Sequence, residues 1–143
     1  MKKVFLGGTC SGRKWRDELI PLLHHNYYNP IVKNWSEEDR KREVWERETA
    51  DMVLYTITSD IKGVYSIAEV VDDSNKRPMK TVLCILYDGM EKRMAHSLRA
   101  VAKLVEENGG FVFDNLEDTA AFLNRRMDYL ERVYDFECKD YPG

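Results

Sequence analysis

No stretch of this chain approaches the ~20 consecutive apolar residues of a membrane span, and the opening Met1-Lys2-Lys3-Val4-Phe5-Leu6-Gly7-Gly8 is too short in its apolar part for a signal peptide. Cysteine is scarce. Cys10, Cys84 and Cys138 are odd in number and far apart, which argues against a disulfide framework and against a CxxC metal site. Neither sign of charge dominates: 22 basic and 25 acidic residues leave a formal charge of -3, with no electrostatic case for binding a nucleic-acid polymer. There is no repeat, no low-complexity tract and no Pro/Gly/Ser linker. With 143 residues the expectation is a single domain spanning residues 1–143 in a soluble, cytoplasmic protein with no membrane partner.

The elements alternate. Lys3–Leu6 reads as a strand ending in Gly7-Gly8-Thr9, and Arg13–Leu23 as a helix that Pro21 weakens or ends. Tyr27-Tyr28 is a short strand stopped by Asn29-Pro30. Ser36-Glu37-Glu38-Asp39 resembles a capping box opening a charged helix to about Glu48. Met52–Ile57 is a strand, followed by a helix that is expected to break near Asp73-Ser74-Asn75. Thr81–Leu86 is another strand. Met94, Leu98, Val101 and Val105 set a helical stripe closed by Gly109-Gly110. Phe111–Phe113 is the last strand. Leu116, Ala120, Leu123, Met127, Leu130 and Tyr134 make the cleanest amphipathic helix. Five strands alternating with five helices predict an α/β three-layer sandwich. Its flavodoxin-like, five-stranded parallel sheet takes the order 2-1-3-4-5, with helices on both faces.

In such a sheet the ligand crevice lies above strands one and three. Three loops converge there. Gly7-Gly8-Thr9-Cys10-Ser11-Gly12 lets backbone N–H groups approach a ligand, although it is neither a Walker nor a GxGxxG loop. The segment from Asn29-Pro30 to Trp35 could cover a flat ring, the competing reading of Trp35 being plain core. Ser59–Ser66 leads into a helix whose lone carboxylate, Glu69, stands among Ile67, Ala68, Val70 and Val71. Buried there, Glu69 is neutral, paired or functional. Ser66 shares its helix face, and a carboxylate so placed suits attack on an electrophilic carbon. The competing reading is a helix Glu paired to Lys or Arg, or turned to solvent.

Several residues take duller readings. His24-His25 favours a helix end and has no third ligand nearby in sequence, and His96 lies in a charged surface helix. Cys10 has no identifiable histidine base. Arg16, near the first loop, could meet a phosphate, with a surface salt bridge as the default.

Gly7-Gly8-Thr9, Asn29-Pro30, Ala50-Asp51 and Gly63-Val64-Tyr65-Ser66-Ile67-Ala68-Glu69, in that order and spacing, resemble the nucleoside 2-deoxyribosyltransferase-like family over roughly Lys3 to Leu86. The resemblance implies that Glu69 attacks the anomeric carbon of a nucleoside or nucleotide. The base departs, and a second base or water resolves a covalent glycosyl-enzyme. It also implies substrate contacts from Gly7, Gly8, Thr9, Cys10, Asn29, Trp35, Tyr65 and Ser66, no metal or organic cofactor, and a homo-oligomer. Where the family carries a first-strand tyrosine, Phe5 stands. The family's aspartate before the nucleophile has its nearest counterpart in Asp60, nine residues before Glu69 (69 − 60). Its acid in the preceding helix has Glu43, Glu46 or Glu48 as candidates. The tail from Cys138 to Gly143 takes no catalytic role. The rival reading is a non-catalytic nucleotide-sensing module on the same fold; a flavin-binding protein is a weaker third.

Overall fold

The computed structural model describes residues 2–140, with side chains as far as Val133. The apolar runs Val4–Gly8 (β1), Tyr27–Tyr28 (β2), Met52–Ile57 (β3), Thr81–Ile85 (β4) and Phe111–Phe113 (β5) pair in parallel as one sheet, in the order β2-β1-β3-β4-β5. The helices between them are Trp15–Leu19 (α1), Glu37–Thr49 (α2), Tyr65–Lys76 (α3), Lys92–Glu107 (α4) and Leu116–Asp140 (α5). This is the predicted α/β architecture and strand order.

Alternation along the strands divides the core in two. Val4, Leu6, Met52, Leu54, Val82 and Cys84 face Trp15 and Leu19 of α1 and Leu116, Ala120, Leu123 and Met127 of α5. The stripe on α5 therefore packs on its own sheet; Tyr134 and Cys138 lie outside the residues whose side chains are described. Phe5, Val53, Tyr55, Ile57, Leu83 and Ile85 face Val70 of α3 and Leu98, Ala102 and Val105 of α4. The same parity sends Phe5, Gly7 and Tyr55 to the α3 face, and Gly7 stands opposite Tyr55 in the β1–β3 register.

Four features differ from the sequence reading, each for a local reason. β1 continues through Gly7 and Gly8 because both keep pairing with β3. α1 is shorter than Arg13–Leu23: it passes at Ile20 into a 3-10 turn, Ile20–Leu22, holding Pro21. α3 does not break at residues 73–75. Asp73 and Ser74 are buried, Asp73 accepting from Tyr55 Oη (2.6 Å) and Ser74 Oγ donating to Val71 O (2.7 Å), so polar residues are satisfied inside the helix. On α4 the buried stripe is Ala95, Leu98, Ala102 and Val105. Small alanines let that helix approach the sheet, while Met94 is exposed and Val101 half-buried.

α2 is held differently. It opens on the predicted capping box, Ser36 with Asp39. It has almost no apolar face, and Glu46 is its one buried residue. Ion pairs of Glu46 with Lys3 and of Arg47 with Glu69 fasten it to the residue before β1 and to α3.

Gly8 adopts φ +118°, a left-handed conformation, and a β-carbon there would run into the backbone of Thr56. Gly8→Ala is expected to lower folding stability by about 2 kcal/mol or more, read as a reduced midpoint in urea denaturation.

Candidate active site

Strand β1 ends in two glycines and the neighbouring β3 ends in Tyr55-Thr56-Ile57, so a gap opens above Phe5 on the α3 side of the sheet. A β-carbon on Gly7 would crowd the rings of Phe5 and Tyr55 at 3.1 Å, which ties the size of that gap to glycine. The result is a cavity of about 320 Å³, a size suited to a small ligand. Phe5, Gly7 and Tyr55 lie along the sheet side, Gly8 and Cys10 belong to the first loop, and Ser66 and Glu69 come from α3. Trp35 and Pro30 to Val32 come from the segment after β2, and Glu43 from α2. An outer basin of about 440 Å³ shares Trp35, Glu43 and Glu69 with it and adds Tyr65 and Arg47.

Glu69 is half-buried and ion-paired with Arg47. Neither Ser66 nor Tyr65 hydrogen-bonds to Glu69; its partner is the guanidinium. Burial pushes the Glu69 carboxyl above its ordinary value, and Arg47 offsets part of that rise. Beneath it, Tyr55 donates to Asp73 at 2.6 Å, and Asp73 is fully buried and held by Arg77 Nε at 2.9 Å. Burial, followed by the Asp73 charge, pushes the Tyr55 phenol far up, so Tyr55 stays a neutral donor. Glu43 faces the same cavity. Its carboxyl is also raised by burial, with Arg47 and Arg16 acting against the rise.

Of the residues singled out in the sequence, Gly7, Gly8, Cys10, Trp35, Ser66 and Glu69 are brought together around one space. Trp35 is 58% exposed at its mouth and is not core. Tyr65 borders the outer basin. Thr9 and Asn29 line a smaller neighbouring cavity instead. Thr9 is buried as a brace: its Oγ1 accepts from Thr58 N at 3.1 Å, and its carbonyl accepts from Trp15 Nε1 at 2.8 Å. Asp60 is not among the lining residues. Its carboxylate accepts the backbone N–H of Arg13 at 2.8 Å, and its carbonyl accepts from Ser11 Oγ at 3.0 Å, so it clamps the first loop. Of the three α2 candidates Glu43 alone reaches the cavity, since Glu46 pairs with Lys3 and Glu48 is exposed.

Residues 1–87 match the family model described as nucleoside 2-deoxyribosyltransferase like. The chain belongs to that family. The match covers more than half of the 143 residues and contains every residue lining the cavity, from Phe5 to Glu69. No curated protein matches the chain. Membership in the nucleoside 2-deoxyribosyltransferase-like family points to glycosyl transfer on nucleosides as the general chemistry, with small-molecule nucleosides as substrates. Among the described residues no group of His, Cys, Asp and Glu could hold a metal ion, and no helix is long and apolar enough to cross a membrane. His25, considered above, lies between Asp128 (2.8 Å) and Glu131 (3.3 Å) of α5 and is not among the residues lining the cavity.

Sequence reasoning missed Arg47 and Tyr55. Arg47 is one of several arginines in a charged helix, and nothing local separates it from Arg40 or Arg42. Tyr55 left a faint signal, a polar tip inside an otherwise apolar strand. Followed by carboxyl NMR, Glu69 is expected to titrate above the ordinary 4.5. Arg47→Gln, which removes the cation beside it, is expected to move that titration higher still; an unmoved titration would show that Arg47 does not set the Glu69 charge.

Proposed function

We propose that this protein cleaves or exchanges the N-glycosidic bond of a 2′-deoxynucleoside or its nucleotide, with Glu69 as nucleophile and Glu43 as proton donor. The observation carrying this reading is a pair of carboxylates facing one cavity with different partners. Glu69 has Arg47 in direct contact, which favours its charged form against the cost of burial. Glu43 has Arg47 and Arg16 as charges acting through space, with no ion pair among the described residues, and is better placed to keep its proton.

The steps follow from that difference. A Glu69 carboxylate oxygen bonds to C1′ as the C1′–N bond breaks, and Glu43 gives its proton to the departing base. Glu43, now a carboxylate, takes a proton from water or from a second base as that nucleophile attacks C1′ and releases Glu69. Two displacements retain the anomeric configuration. The deoxy sugar is favoured because it lacks a 2′-hydroxyl and reaches an oxocarbenium-like state more easily. Trp35, at the mouth, offers a face for the base, and Tyr55 with Ser66 shapes the sugar end. Asp60 acts as a positioning residue through the first loop. The sensing reading is supported by the Arg47 pairing itself, since an ion-paired Glu can be purely structural.

Base release from a panel of 2′-deoxynucleosides and their monophosphates, with and without a second base, tests the reading. Glu69→Gln should reduce release by roughly four orders of magnitude, and an intact-mass adduct should form on the wild type alone. Wild-type-like release by Glu69→Gln would overturn the mechanism. No turnover, with tight binding of a nucleotide, would select the sensor. The pH profile should be bell-shaped, with activity falling in acid as Glu69 protonates and in base as Glu43 loses its proton. Glu43→Gln should lower the rate by about two to four orders of magnitude and abolish the alkaline limb.

A further inference from the structure

The reaction proposed above leaves one buried charge without a part. Asp73 is fully buried on α3, one helical turn beyond Glu69. Its Oδ2 accepts from Tyr55 Oη at 2.6 Å, and its Oδ1 accepts from Arg77 Nε at 2.9 Å with Arg77 Nη2 at the same distance. Neither burial nor helix propensity favours an aspartate there. A buried ion pair adds little stability over apolar side chains of similar size, and Asp is a poor former of helix interiors. Its charge therefore calls for a use.

That charge reaches the cavity through Tyr55, which lines it. A carboxylate only accepts, so the phenol proton lies on the Asp73 side and the oxygen keeps its lone pairs for other directions. At Glu69, burial is the main cause raising the carboxyl; Arg47 opposes it, and Glu43 and Asp73 add to it. Burial works against the Arg47 cation, and Tyr55, Asp73 and Glu69 together outweigh it. Asp73 is among the leading influences on Glu69, Arg47 and Tyr55, and Arg77 is among those on none of them. The negative end of the Asp73–Arg77 pair is thus the one turned to the cavity. The nearer cations are engaged. Arg47 is paired with Glu69. Arg16 is 6% exposed, not in the surface salt bridge the sequence suggested, and gives Nε and Nη1 to the Leu6 and Thr9 carbonyls.

We propose that Asp73 is a positioning residue for the glycosyl step: through Tyr55 it fixes a negative potential beneath the sugar, which favours a cationic five-membered ring over the neutral substrate. The inference rests on the reading of Glu69 as nucleophile. As the C1′–N bond breaks, its electron pair leaves with the base, which takes the Glu43 proton, and positive charge spreads over C1′ and the ring oxygen until the Glu69 oxygen bonds to C1′. A buried dipole already oriented toward that charge needs no reorganisation as it develops. Glu69 alone cannot hold this role through the whole step, because its own charge is consumed as the new bond forms. Asp73 forms no bond and keeps its charge throughout.

The test uses the whole chain. Calorimetry compares 1,2-dideoxyribose with its pyrrolidine analogue, whose ring nitrogen is protonated at neutral pH, beside base release from the 2′-deoxynucleoside panel. The wild type should bind the pyrrolidine at least about tenfold tighter, as a mimic of the charged ring. Glu69 shares in that preference, so the change on replacing Asp73 is what decides. Asp73→Asn keeps the size and removes the charge. It should cut the preference several-fold and lower kcat by about ten- to a hundredfold, with KM nearly unchanged. The acid limb of the pH profile should move to lower pH, because one charge opposing Glu69 ionisation is gone while Arg47 and Glu43 remain. Where Asp73→Asn fails to fold, Asp73→Asn/Arg77→Gln, which leaves no unpaired buried charge, takes its place with the same expected losses. Equal weakening of both ring analogues, or an unchanged preference, would overturn the proposal. Base release with kcat and acid limb unmoved by Asp73→Asn would overturn it too and leave the nucleophile standing. A pyrrolidine preference that Asp73→Asn cuts, without base release from any substrate, would support the Asp73 field and overturn the nucleophile.

Discussion

A carboxylate taken out of water needs a cation beside it, and the pairing of Glu69 with Arg47 meets that need across two helices. The contact does more than set a charge. α2 has almost no apolar face to lay on the sheet, so its attachment depends on ion pairs at its carboxyl-terminal half, with Lys3 and with Glu69. Docked in this way, α2 brings Glu43 to the cavity one helical turn before Arg47. The helix that pairs with Glu69 thus also delivers the second carboxylate.

The sheet supplies the space into which those groups face. β1 and β3 are neighbours because strand order reverses its direction of growth between them, so the loops at their carboxyl ends part. Residue parity then decides which face carries the site. Phe5, Gly7 and Tyr55 share the α3 side, and the missing side chain at Gly7 leaves room between two aromatic rings. Beneath, the Tyr55–Asp73–Arg77 chain of hydrogen bonds satisfies polar groups that the core would otherwise strand. It also explains why α3 runs through Asp73-Ser74-Asn75, residues that in isolation favour a helix break.

The fold was legible because its signals are periodic. Continuous apolar runs separated by amphipathic segments specify a parallel sheet covered on both faces, and right-handed crossovers limit the order. Glu69 was legible for the opposite reason, as an exception within an apolar helix face. What could not be read was pairing across elements. Arg40, Arg42 and Arg47 look alike in sequence, and which one meets Glu69 depends on the rotation of α2 against α3. Trp35 was equally open between core and pocket, since its place depends on how the segment after β2 returns over the sheet. The stripe on α4 was read one residue off at two positions, Met94 and Val101, because size was weighed above the close approach that Ala95 and Ala102 permit.

Asp60 shows the limit of spacing as a guide. It precedes the Glu69 helix, in the loop where ligand groups of an open α/β sheet gather, yet it accepts the Arg13 N–H and ties its loop to the first one. Gly12, at φ +76°, lies against the Asp60 side chain, where a β-carbon would collide with it. The two loops flanking the crevice are therefore joined behind it, which fixes the rim on which Cys10 and Arg16 stand. A carboxylate in that position acts through shape: it satisfies a backbone donor and holds two glycine-bearing turns at one separation. The charged groups that line the cavity come from elsewhere, Glu69 from α3, Glu43 from α2 and Arg16 from α1.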